Sequence, residues 1–106
     1  MTEPFYKNLV ALEKIEKLIK SSAMSADEKE ELWKIIDEIV HHRIMGCVLD
    51  NLPREHHEEF LTKIKNESLD FELMEFLETK SQTKISDKIK EEIIVLEEEI
   101  LKDINA

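Results

Sequence analysis

Glycine occurs once in this chain, cysteine once and proline twice. Each scarcity removes a class of proteins. Sandwiches and barrels need turn residues roughly every 8–12 positions, whereas helices tolerate such sparse punctuation. One glycine cannot build a phosphate-cradling loop. A lone Cys47 forms neither an internal disulfide nor a Cys-x-x-Cys motif, and it fits a reducing, cytoplasmic setting. No apolar run approaches the roughly 18 residues of a membrane span. The opening MTEPFYKNLV lacks the basic stretch and apolar run of a secretory leader, so neither a span nor a leader is expected.

What is present is apolar material interleaved with charge. The chain has 106 residues, 42% hydrophobic and 38% charged. That suits one domain with one core, burying about two thirds of the surface its unfolded form exposes. Charge that alternates with hydrophobic residues argues against disorder, which requires low hydrophobicity as well. Acidic residues outnumber basic ones 25 to 15, a net charge of −10. This repels nucleic-acid backbones and anionic lipid surfaces, so partners of those kinds are not expected. A basic partner is permitted, as is a role as an acidic nucleic-acid mimic; solubility is the simplest use of such charge.

Helical spacing predicts an all-α bundle of about five helices, at 4–20, 26–50, 53–66, 71–80 and 87–104. In the first, Pro4 suits an opening position after Thr2 and Glu3. Phe5, Leu9, Leu12, Ile15 and Ile19 then mark one face. Four lysines against two glutamates make this helix basic, fit to lie beside the acidic last helix. Ser25 and Glu28 form a capping box, the hydroxyl accepting an early backbone N–H and the carboxylate reaching back to the cap's own N–H. The second helix carries two apolar stripes, one of Leu32, Ile35 and Ile39, the other of Trp33, Ile36, Val40, Ile44 and Cys47. Over 44–49 it is apolar all round and needs cover on every side. Gly46 lies inside that run, where close approach of a neighbouring helix would account for it, ahead of a local helix end. Pro53 opens the third helix, with Phe60, Leu61 and Ile64 inward. Residues 66–68 read as a loop, Asp70 caps the fourth helix and Ser86 the fifth. In the fifth, Ile89, Ile93, Leu96 and Ile100 recur too briefly for a coiled coil, and core packing is the expectation.

Reactive groups are scattered. The histidines come as doublets, His41-His42 and His56-His57, and Glu38 with His41 makes one Glu-x-x-His pair. Di-iron carboxylate bundles use two such pairs. Glu38, His41, His42 and His57 are therefore the metal candidates, set against boundary histidines satisfied by carboxylates or solvent, which the half-present pattern favours. With the second and third helices turning as a hairpin near Asn51, the doublets sit about one helical turn out of register. Cys47, the one nucleophile candidate, lies in the apolar run, where burial raises a thiol's pKa and makes it inert. The acidic runs Glu30-Glu31, Glu58-Glu59 and 97–99 read as solvated faces. Tyr6 and Trp33 are aromatic anchors for a partner or, for Trp33 above all, core.

The residues Ile39-x3-Arg43, Leu49-x2-Leu52-Pro53-x-Glu55, Phe60-Leu61 and Asp70-x-Glu72-Leu73-x2-Phe76-Leu77 give the stretch 32–101 a resemblance to a family of small all-helical domains of unknown function from candidate-phyla bacteria. The resemblance implies a helical bundle and supplies no activity, cofactor or catalytic residue.

No catalytic constellation and no cofactor site is read, so the expectation is a non-enzymatic interaction module. Its partner is another protein or a second copy of the chain, two-fold dimers being the commonest assembly. Trp33, Met45, Val48, Ile94 and Leu101 are the expected contact residues. A metal-binding bundle and an acidic mimic are the alternatives.

Overall fold

Every regular element within residues 5–66 and 70–105, which the computed structural model describes apart from the side chains of Asn8, Asp70 and Asn105, is helical. In order these are a 3-10 turn at Lys7–Leu9, α1 (Glu13–Ser21), α2 (Ala26–Asn51), a 3-10 turn at Arg54–His56, α3 (His57–Lys65), α4 (Asp70–Lys80) and α5 (Ile85–Asn105). The fold is the all-α bundle expected from the sequence. Thr2, Glu3 and Pro4, Glu67 and Ser68, and the Asp70 side chain expected to cap α4 all lie outside the described residues.

The long helices α2 and α5 form the principal pair. They run antiparallel: the Thr83 hydroxyl, just before α5, donates to Asn51 at the far end of α2, while Arg43 reaches Glu92 and Glu99 further along. Twenty-six residues give α2 a length of about 39 Å. That length sets the long dimension of a molecule measuring 47 × 27 × 18 Å. Ile36, Val40, Ile44 and Val48 of α2 meet Ile85, Ile89, Ile93, Leu96 and Ile100 of α5 in one buried cluster. Each such aliphatic side chain contributes about 1.5–3 kcal/mol through burial. The short spacing in α5 is core packing, as its period suggested. No close hairpin forms between α2 and α3; α5 occupies the position against α2.

Around this pair the smaller elements fill in. α1 lies on α5, basic against acidic: Lys14 Nζ donates to Glu98 at 2.9 Å, and the Ile15 backbone N–H donates to Glu97 at 3.4 Å. The lysine pair is more than half exposed on both sides, so it orients α1 more than it stabilises it. The Glu97 bond supplies an acceptor for a first-turn N–H that has no partner inside its own helix. α3 buries Phe60 completely. Phe76 of α4 sits between the edge of the His56 ring and the ammonium of Lys63, 5.3 Å from its centroid.

The first segment departs from the expected helix 4–20. A single 3-10 turn ends at Val10, whose backbone is extended (φ −97°, ψ 117°), and the α-helix begins only at Glu13. Tertiary contact outweighs periodicity here. Phe5 packs edge-on against Tyr6 and Phe60, and Tyr6 is buried with its hydroxyl 2.9 Å from His41 Nδ1. Asn8 and β-branched Val10 are weak helix formers that let the chain leave the helical path.

The caps are partly as expected. Ser25 Oγ accepts the Glu28 N–H at 3.2 Å, but the Glu28 carboxylate accepts a hydrogen bond from the Ser25 hydroxyl at 3.2 Å instead of reaching back to the backbone. Pro53 precedes a 3-10 turn, so α3 begins at His57 and not at 53. Ser86 is not the cap of α5, which starts one residue earlier; its backbone N–H donates to Glu78 of α4 at 2.8 Å, a carboxylate from the preceding helix taking the capping role.

Gly46 also corrects an expectation. α2 continues through it to Asn51, and a Cβ built there meets nothing within 4 Å, so no neighbouring helix accounts for it. Gly46→Ala is therefore expected to stabilise the protein by about 1 kcal/mol, raising Tm by roughly 4–5 °C. A thermal melt showing no gain would mean the position is constrained in a way its open surroundings do not reveal.

Candidate functional site

The second helix brought two apolar stripes to the structure, and the fold buries one of them. Ile36, Val40 and Ile44 are covered, whereas Ile35 is 53% and Ile39 40% exposed. α5 can cover only one side of α2, and the stripe of Ile35 and Ile39 falls outside its reach. With His42 and Gly46 it continues at steps of four, three and four residues, a single line along one helical face.

This line lies in a shallow, open groove of about 500 Å³, lined by one face of α2 and, from α5, by Glu92. Glu38, Asp50 and Glu92 stand at its rim and Cys47 at its base. Arg43 is the only lysine or arginine lining it, and that side chain is already committed: Nη1 donates to Glu92 at 3.0 Å and Nη2 to Glu99. These hydrogen bonds push the guanidinium further up from its ordinary value. Val95, half exposed, lies on the same flank of α5, three residues after Glu92 and four before Glu99. The site is thus an apolar strip edged by carboxylates.

The expected contact residues fare unevenly. Val48 is wholly buried in the core and has no surface to offer, because the α2 face it occupies turns towards α5. Trp33, Met45 and Leu101 are half-buried against that core. Ile94 is 65% exposed, on α5 outside the groove lining. Leu61, expected inward, is 47% exposed, since Phe60 takes the inward position on α3. Among the described residues, Phe71 of α4 and Ile94 and Val95 of α5 are the other exposed large apolar side chains on those helices, besides Ile104.

The metal candidates do not converge. His41 is held by the Tyr6 hydroxyl, and His42 lies on the groove line. The Nε2 of His57 donates to the Leu52 carbonyl at 2.7 Å, an acceptor that fixes where the ring carries its proton. Among the described residues no three His, Cys, Asp or Glu side chains come together as a metal-holding group. Tyr6 lies in the core; burial first and Asp37 second push its hydroxyl above its ordinary pKa of 10.0.

Cys47 is buried, as expected, and burial above all pushes its thiol up from 9.0, with Glu92 adding to the effect. The sign follows from linkage. The folded thiol holds its proton to higher pH than the unfolded one, so its contribution is complete below about pH 9 and is lost as pH rises through the folded value. Melts from pH 8 upwards past 9 are expected to show a Tm that is level at first and then falls with pH above about 9, and Cys47→Ala should flatten that fall. An equal slope in both proteins would mean the thiol is not shielded.

Sequence reasoning named the Ile35 and Ile39 stripe but not its role. Two apolar stripes side by side give no local sign of which one faces in. Gly46 was the available signal: a helix-weakening residue lies on the stripe the fold leaves open. Among the described residues, no helix is long and apolar enough to cross a membrane. Comparison with protein-family models, curated proteins and solved structures returned no match. The functional reading therefore rests on this chain's own surface.

Proposed function

We propose that this protein is a non-enzymatic interaction module whose docking face is the groove between α2 and α5. One observation carries the reading: Ile35 and Ile39, one turn apart on α2, are left exposed in an open groove that continues along the same face past His42 to Gly46. Large apolar side chains scattered singly over a surface need no explanation, but a line of them within a groove marks a contact surface. A helix laid between two others is a recurrent recognition mode, read through anchors one turn apart.

A photoreactive residue at Ile35 or Ile39, introduced in the native host, tests the proposal. Each position is expected to yield one discrete adduct, while the same residue at exposed Glu75 on α4 yields none. Loss of the adduct at both groove positions, or the same adducts from Glu75, would sink it.

A further inference from the structure

Building on that reading, we infer that the occupant of the α2–α5 groove is a basic amphipathic helix. The groove line from Ile35 to Gly46 covers twelve residues, and its eleven steps rise about 16 Å at 1.5 Å each, enough for three turns of a partner helix. Interaxial distances of 8–10 Å depend on the side chains at the contact. At Gly46 there is no side chain and open space beyond, so a large apolar residue of the partner seats there with its next anchor over Ile39.

Charge selects the partner's chemistry. Glu38, Asp50 and Glu92 edge the apolar line, and the one lining guanidinium is already shared between two carboxylates. Lysine or arginine flanking the partner's apolar face meets Glu38 and Asp50, the lining carboxylates outside the Arg43 pairing, which steers encounter and rejects like-charged surfaces. Two such grooves placed face to face bring carboxylates against carboxylates, on chains that each carry −10. The groove therefore fits a cationic helix and disfavours docking against its own copy in a second chain.

The test uses three 18-residue peptides and the whole chain. The first places leucine at helical spacing with lysine elsewhere; the second keeps the leucines and replaces lysine by glutamate; the third scrambles the first. Binding is followed by calorimetry and by amide chemical shifts. The leucine–lysine helix is expected to bind at micromolar Kd and to shift amides of α2 and α5 around the groove. Both Ile39→Asp and Gly46→Leu should weaken it at least tenfold, whereas Ile94→Asp leaves it unchanged. Ile39→Asp is the sharper variant, because its added negative charge attracts the peptide and any loss must come from the apolar contact. Both positions are exposed, and circular dichroism melts check that the variants remain folded.

Equal binding by the scrambled peptide, or indifference to both variants, overturns the inference. Binding by the glutamate peptide does the same. A dimer by light scattering that Ile39→Asp dissociates would make a second copy the occupant and leave the interaction reading standing. Silence from every peptide together with no crosslink at Ile35 or Ile39 would remove both.

Discussion

Phe60→Ala is expected to cost about 3–5 kcal/mol, the range for deleting a buried phenylalanine ring. The ring is 0% exposed and meets Phe5 edge-on at 5.9 Å, so it joins α3 to the segment that precedes α1. A domain of this size has only about 5–15 kcal/mol to lose. Tm should therefore fall by roughly 13–22 °C, or the chain should fail to fold cooperatively. Phe60→Leu keeps most of the volume and should lose about 1.5 kcal/mol or less. Denaturant titration of the two variants separates cavity formation from loss of the aromatic edge contact. A loss below about 1 kcal/mol for Phe60→Ala would mean the ring is not the pivot between those elements.

The same substitution at two points on α2 should give opposite outcomes. Val48→Asp places a carboxylate at a fully covered core position, where no partner is available, and is expected to cost about 4 kcal/mol or more. Ile39→Asp, nine residues earlier on the open stripe, should stay within about 1 kcal/mol of the parent. Melting curves for the pair decide between the two stripes. Comparable losses at both sites would show that Ile39 is covered in solution, which is the signature of self-association.

The helices that were legible in the sequence are those whose local pattern and tertiary role agree. In α5, Ile89, Ile93, Leu96 and Ile100 form one apolar line, and that line is the core. The α2 start was equally plain, since Ser25 and Glu28 interact as neighbours in sequence. The pairing of a basic α1 with an acidic α5 was readable from charge alone and appears as Lys14 on Glu98.

What escaped depends on contacts between distant residues. Phe5 and Leu9 share a helical period with Ile15 and Ile19, yet the chain between them is extended because Tyr6 docks against His41, 35 residues away. The cap of α5 comes from Glu78, a residue with no local signature for that role. At the candidate site the residue types were visible, but the choice between the Ile35 and Ile36 stripes is made by α5, some sixty residues on. Gly46 announced something unusual in the helix without saying whether a neighbour or an open surface explained it.

The antiparallel pairing of α2 with α5 has a consequence for how the chain reaches its native state. α5 touches α1, α2, α4 and the first 3-10 turn, so it is the keystone of the layer packing, and it is synthesised after all of them. Until it emerges from the ribosome, the inward line of α2 has no cover, and a nascent chain stopped near residue 80 carries sticky, half-made structure of the kind chaperones hold.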